Sequence, residues 1–361
     1  MRLPRAAWLS LGALGQGVER RHAAWTNVSG WDRVGLRDGL GGEAYAIQAC
    51  GCLRGGRWAG GEGRFVTRDL KGYANRYPDV RWPGGARVAV SVVLNIEEGA
   101  ELLLSAGDER NEAIHEAIQK VEGAPDLCLE SHFEYGARVG YWRICALADQ
   151  YGVPLTLNAC ARALEATPWV GEDAVQRGYE IQCHGWRWES HAGMDEAQER
   201  ALIAQCVETI RRVHGKPPVG WHTKSSASVN TRRLLVEHGG FLYDSDAYND
   251  DAPYYVQVVG TPHLVLPYAF DTNDMRFFDG YAFVRGADFA GYVSDAFDRL
   301  WEEGARQPKM LSIGLHTRII GRAARIGGLE QVLKHMQEKG GAWFARREDI
   351  ARHWLTEASP R

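Results

Sequence analysis

Apolar and polar positions along this chain become regular only from about residue 69 onward. Residues 87–94 (RVAVSVVL) form a β-branched, apolar run bounded by Pro83, Gly84 and Gly85, which predicts a strand buried on both faces. Shorter apolar runs follow at 154–159, 180–183, 219–222, 264–267 and 309–315. Between several of them the apolar spacing changes to that of an amphipathic helix, over 137–150, 194–214, 231–238, 287–304 and 329–338. The alternation recurs roughly every 25 to 45 residues, which predicts βα units and a mainly parallel sheet, either doubly wound or closed into a barrel. No linker divides the regular part.

Residues 1–67 read differently. Within 1–70 the chain carries 14 of its 42 Gly and ten Arg, with no Lys. Paired glycines at 41–42, 55–56 and 60–61 interrupt every pattern that starts there. The reading is a poorly ordered, Gly- and Arg-rich extension over 1–67 preceding a catalytic domain over 68–361.

Composition narrows the function. The 361 residues are 45% hydrophobic and 24% charged, which excludes collagen-like, coiled-coil and disordered chains. A net charge of −4 leaves no basic field for nucleic acid or an anionic membrane, so a small-molecule substrate is expected, with a homo-oligomer compatible. No apolar stretch is long enough to span a bilayer. Residues 1–15 bear only a faint likeness to a secretory signal. The seven Cys are scattered and mostly within apolar strings, as buried free thiols are, and a cytoplasmic location is expected. Cys50 and Cys52 are too close together and too few to make a zinc site.

Catalytic groups in a parallel α/β protein gather at the carboxyl ends of strands. Directly after the first strand stand Glu97 and Glu98. Later runs lead into His184, Trp186, Trp188 and His191, into His222 and Lys224, and into His316 and Arg318. Any one of these has an ordinary alternative, since a strand-end Glu pair is commonly solvated and a lone His commonly packed. Their joint placement at strand ends indicates a hydrolytic site that combines a carboxylate base, imidazoles and a metal. Lys224 or Arg318 would hold a carbonyl or carboxylate of the substrate. Trp186 and Trp188 serve equally well as packing or as a pocket wall.

The segments Leu94-Asn95-Ile96-Glu97-Glu98-Gly99, Glu130-Ser131-His132-Phe133-Glu134-Tyr135-Gly136, His184 with its neighbours, Asn230-Thr231-Arg232-Arg233, Phe241-Leu242-Tyr243-Asp244-Ser245-Asp246, Asp271-Thr272-Asn273-Asp274 and Ile313-Gly314-Leu315-His316 together resemble the polysaccharide deacetylase (NodB homology) superfamily. The likeness runs over about residues 68–358 and is nearest to the allantoinase-like branch and its cyclic-imide hydrolase relatives. It implies a deformed (β/α) barrel of seven or eight strands that hydrolyses C–N or ester bonds, often with one divalent metal, zinc first among the candidates.

Carried over residue by residue, the resemblance makes Glu97 the catalytic base, Glu98 a metal ligand in place of an Asp, and His316 the acid. His184 matches the first of two metal-binding His four residues apart. Trp188 stands where the second would be, leaving His191 as its replacement. Asp271 and Asn273 join Trp186, Trp188, Lys224 and Arg318 as expected substrate contacts. The Trp221-His222-Thr223-Lys224-Ser225 stretch departs from the Tyr and Arg expected in this branch. Three functions stay open at this point: opening of a small cyclic amide, ureide or imide ring, with or without metal; N-deacetylation of a polysaccharide; and a binding protein that has lost its metal. The want of a convincing export signal favours the small ring, because a cell-wall polymer lies outside the membrane.

Overall fold

A computed structural model of the chain describes residues 68–114, 116, 119–278 and 282–360. The expected extension over 1–67, with Cys50 and Cys52, lies outside the described residues. Nine strands are present among them: β1 (Val88–Ile96), β2 (Leu155–Ala159), β3 (Glu180–Cys183), β4 (Gly220–Trp221), β5 (Tyr243–Asp244), β6 (Tyr254–Val258), β7 (Thr261–Val265), β8 (Lys309–His316) and β9 (Ala342–Phe344). Helices α1 (Leu127–Tyr135), α2 (Tyr141–Tyr151), α3 (Ala161–Ala166), α4 (Pro168–Arg177), α5 (Glu196–His214), α6 (Thr231–His238), α7 (Gly286–Glu303), α8 (Ile326–Lys339) and α9 (Arg347–Glu357) connect them.

Seven parallel strands form a circuit in the order β7-β5-β4-β3-β2-β1-β8. Beyond β7 the chain returns, and an isolated bridge between Asn273 and Gly314 of β8 closes the ring. Antiparallel β6 extends β7, and β9 pairs with the first half of β1. The expected deformed barrel is therefore the fold. The sequence pattern located the long strands within a residue or two. It gave no sign of β5, β6 or β9: β5 has only two residues, β9 only three, and β6 and β9 are half-exposed.

Although every residue of β1 is buried, its two faces differ. Val88, Val90, Val92, Leu94 and Ile96 join Leu155, Leu157, Ile181, Leu311, Ile313 and Leu315 in one apolar cluster under the helices. The opposite face looks into the barrel, where Ala89 joins a second apolar cluster with Tyr243, Met310 and Trp354 and polar groups lie further along the strands. There Asn158 donates to Asn95 (2.7 Å), Thr156 to Glu180 (3.0 Å) and Gln182 to Ser245 (3.0 Å). Period-two alternation thus separates an apolar outer layer from an interior that holds the hydrogen-bonded polar groups.

The helix expected over 137–150 is α2, entered through one π-type turn at Gly136–Gly140. Two glycines allow this helix to lie against the loop after β8. A Cβ on Gly136 would run into Glu98 and Thr317, and one on Gly140 into the Thr317 carbonyl. Among the described residues, no helix is long and apolar enough to cross a membrane.

Candidate functional site

Alternation along the strands decides which polar side chains meet. On β1 the interior positions Ser91 and Asn95 lead to Glu97. On β3, Glu180 and Gln182 lead to His184, and on β8, Ser312 and Gly314 lead to His316. Each is the next interior position at the carboxyl end of its strand, so three separate elements deliver three titratable groups to one mouth of the barrel.

Glu97 is the centre of the group, with 1% of its surface exposed. Its Oε2 accepts a hydrogen bond from Arg318 Nη1 at 2.7 Å. Its Oε1 has no hydrogen-bond partner within the protein, and faces His316 Nε2 at 3.5 Å and His184 Nε2 at 3.7 Å. Those separations are too long for hydrogen bonds, so a buried anionic oxygen and two imidazole nitrogens keep open positions directed at each other.

Both imidazoles are held from behind. His184 Nδ1 donates to the His222 carbonyl at 2.6 Å, which leaves Nε2 toward Glu97, and the His222 ring stacks on His184 with centroids 5.4 Å apart. His316 Nδ1 donates to Asp274 Oδ1 at 2.7 Å, while the backbone N–H groups of His316 and Ile320 donate to Asp274 Oδ2. Arg318, fully buried, also donates to Glu116 Oε1 at 3.0 Å, and its guanidinium lies over the Phe133 ring.

Opposite charges in this cluster hold one another ionised. Burial works against ionisation of Glu97, but Arg318 and His316 outweigh it and hold the carboxyl well below the ordinary Glu range. Burial likewise opposes a charge on His316, yet Asp274 and Glu97 lift its pKa to about 10. Glu116 is brought down to about 2, against burial, by His132 and Arg318. At neutral pH the site therefore presents a carboxylate beside an imidazolium, with a fixed guanidinium closing the far side.

The expected metal ligands do not converge. Glu98 follows Glu97 by one residue, and on a strand one residue changes the face. It is turned toward Gly136 and accepts the Thr317 hydroxyl instead, and burial raises its pKa. His191 donates through Nδ1 to Glu199 Oε1 at 2.9 Å, and its backbone N–H donates to Ser226 O, because 185–191 runs as bends and irregular chain rather than as a helix. Among the described residues, no three His, Cys, Asp or Glu side chains are placed to hold a metal ion. Arg318 stands where a cation would be needed, within 2.7 Å of Glu97, 3.0 Å of Glu116 and 3.9 Å of Glu98. A divalent ion there would repel a guanidinium that cannot lose its charge, so these residues do not fit a metal.

The expected substrate contacts separate into two groups. Trp188 lies beneath Lys224, whose Nζ is 3.4 Å above the indole face, and Trp186 packs against the apolar layer outside the barrel. Asn273 is structural: its side chain caps Met275 N, and its backbone belongs to the closing bridge. Asp271 is exposed and meets Tyr292, at the rim of a separate cavity of about 540 Å³ lined by Tyr248, Phe270 and Arg299. Asp274, Glu116 and Thr317 were missed. Asp274 ends the Asp271-Thr272-Asn273-Asp274 segment, and the structure places it one residue past the bridge. Glu116 sits in a loop with no periodic pattern.

The sequence profile described as Polysaccharide deacetylase matches residues 123–240. A Schizosaccharomyces pombe protein named for the same family is 37% identical over 312 residues, covering 80% of this chain and 97% of the relative. A peptidoglycan deacetylase of Helicobacter pylori is 26% identical over 61% of this chain and 85% of its own length. Among solved structures, a Pseudomonas aeruginosa protein of that family name is 48% identical, with a TM-score of 0.76 over 80% of this chain and 98% of the other. PuuE allantoinase is 46% identical, with a TM-score of 0.76 over 80% and 97%.

Proposed function

We propose, for a chain that belongs to the polysaccharide deacetylase family, the hydrolytic opening of a small cyclic amide, ureide or imide. The family and the allantoinase relative are both hydrolases of non-peptide C–N bonds, and this chain is such a hydrolase. The small ring as substrate rests on one observation above the others. Glu97 Oε1 is a buried, ionised oxygen without a partner, facing two imidazole nitrogens 3.5 and 3.7 Å away. The likeness to an allantoinase at 46% identity supports the same reading.

In this mechanism a water bound at Glu97 Oε1 attacks the ring carbonyl carbon. The new C–O bond forms as the water's proton passes to Glu97, and the ring C–N bond then breaks as His316 Nε2 protonates the departing nitrogen. Asp274 fixes the His316 tautomer by accepting from Nδ1 and stabilises the imidazolium before transfer. A carboxylate with a low pKa is a weak base, so Glu97 contributes chiefly by orienting the water and taking its proton once attack has made that water acidic. His184 completes the water's surroundings. Arg318 keeps Glu97 ionised in a buried site, the charge compensation that a metal would otherwise provide. The reaction is accordingly metal-free. Five described cysteines are free thiols, four of them buried, which supports a cytoplasmic location.

The test is a direct assay of purified protein on hydantoin, succinimide and tri-N-acetylchitotriose. Ring opening without acetate release is the expected result. Acetate release from the oligosaccharide with intact rings would make the protein a polysaccharide deacetylase instead.

A further inference from the structure

Lys224 has a setting that the ring-opening chemistry leaves unexplained. Its side chain is half-buried, and no carboxylate of the described residues lies within ion-pair distance of its ammonium. The Nζ rests 3.4 Å over the Trp188 ring and 3.5 Å from the Trp188 carbonyl oxygen. Three donors are available on an ammonium, and one weak hydrogen bond plus a ring face leave the others unfilled. The charged groups that act on it most are Glu112, Glu97 and Arg110. None neutralises it at close range: Glu112 accepts from the backbone N–H groups of Leu102 and Ala113 and faces Arg110 at 3.9 Å, and Glu97 is bonded to Arg318.

Two other cations near the mouth of the barrel are already paired with carboxylates, and a third is hydrogen-bonded to an imidazole. Arg318 binds two carboxylates, Arg187 donates to Asp108 at 2.9 Å, and Arg322 donates to His132 at 2.7 Å. Lys224 also lies close to the reacting groups. It follows His222, whose ring stacks on His184, by two residues. Trp188, its platform, packs on Ile114, Leu129 and Phe133, and Phe133 carries the Arg318 guanidinium on its face. A continuous path of contacts therefore joins Lys224 to Glu97.

A half-buried cation held over an indole, next to a site whose arginine and imidazolium are already taken up by its own carboxylates, is suited to receive an anion on the substrate side. We propose that Lys224 determines specificity for rings bearing an anionic substituent, a carboxylate in the first instance, with Trp188 stacking on the ring or its side arm. This rests on the ring-opening reading and names its substrate class. The neutral ring itself gives Lys224 nothing to neutralise. A carboxylate brought near Glu97 and Glu116 without a cation would be repelled.

The experiment compares kcat/KM for hydantoin and hydantoin-5-acetate, using wild type, Lys224→Met and Lys224→Arg. Wild type should prefer the carboxylated ring by roughly 10- to 100-fold, the range of a charge-assisted hydrogen bond. Lys224→Met should bring the ratio to about one, mainly by raising KM for the carboxylated ring, whereas Lys224→Arg should keep most of the preference. A purely structural lysine would lower both values together and leave the ratio unchanged. No preference in wild type, or a preference that survives in Lys224→Met, overturns the assignment while ring opening stands. If neither ring is opened by any variant, the functional reading fails and this inference falls with it.

Discussion

Two arginines in this barrel are completely buried, and they are used in opposite ways. Arg347, at the start of α9, donates to Ser245 Oγ at 3.1 Å, Ser312 Oγ at 2.7 Å and the carbonyls of Leu266 and Pro267. These acceptors are all neutral, and burial lowers its pKa. Arg318 sits among carboxylates, which hold its pKa up against the same burial. Around Arg347 the polar groups largely satisfy each other. Around Arg318 three atoms, Glu97 Oε1, Glu116 Oε2 and Nη2 of the arginine itself, are left without a partner. A completed buried network specifies and stiffens a fold, whereas an incomplete one holds a position open for a reactant.

Breaking the incomplete network should cost catalysis above all. Glu97→Gln keeps the shape and removes the charge, and turnover should fall at least ~100-fold, within the roughly 10² to 10⁴ of acid-base groups. Circular dichroism should stay native. Near-normal kcat in this variant would remove Glu97 from the mechanism.

Asp274→Asn sharpens the contrast by pH. Because Asp274 raises the His316 pKa, wild-type activity should hold a plateau and decline only as pH rises through about 10. The same sign governs stability: the contribution of charged His316 is complete below its unfolded pKa of about 6.5 and is lost as pH rises through about 10. In Asp274→Asn the alkaline limb should move toward neutrality, leaving turnover near wild type at pH 6 and about tenfold lower at pH 9. An unmoved limb would show that His316 is not the titrating acid.

The completed network should respond in stability. Arg347→Met leaves several buried acceptors unpaired at about 1 to 3 kcal/mol each, so the Tm should drop by several degrees. For the fraction that stays folded, kcat/KM should change by less than about threefold. A tenfold loss in kcat without thermal destabilisation would erase the distinction between the two arginines. The smallest expected effect is that of chelation: overnight dialysis against EDTA should alter turnover by less than about twofold, since Arg318 already balances the glutamates. Loss of activity that zinc restores would return a metal to the site.

What could be read from the sequence follows the length of each pattern. The long strands and the helices behind them carry enough apolar residues to be recognised, and with the motifs they indicate the barrel. Glu97, His184 and His316 also stand out, because each follows directly on an apolar run. The pairing of Glu98 with His191 went wrong at the level of geometry. Residue spacing gave Glu98 and Glu97 equal standing, yet Ser91, Asn95 and Glu97 share one parity, and Glu98 belongs to the other. His191 needed a helix through 185–190, and the chain there bends instead toward Glu199 on α5. Glu116 had no local signal at all, since its role arises only when its loop comes against Arg318.

The bridge that closes the barrel is also its thinnest seam. Gly314 N–H donates to Thr272 O at 3.1 Å, and the Thr272 hydroxyl donates to Ser312 O at 2.6 Å. Asp274 lies two residues beyond Thr272, at the start of a short 3-10 helix. Opening this seam by local fluctuation would therefore withdraw Asp274 from His316 while the outer apolar layer stayed packed. Warmth should then disarm the catalyst before it melts: reversible loss of turnover should precede the loss of ellipticity, and the amide of Gly314 should exchange with solvent faster than those of Val90 and Val92. Coincident thermal curves would mean that the ring opens only when the whole barrel does.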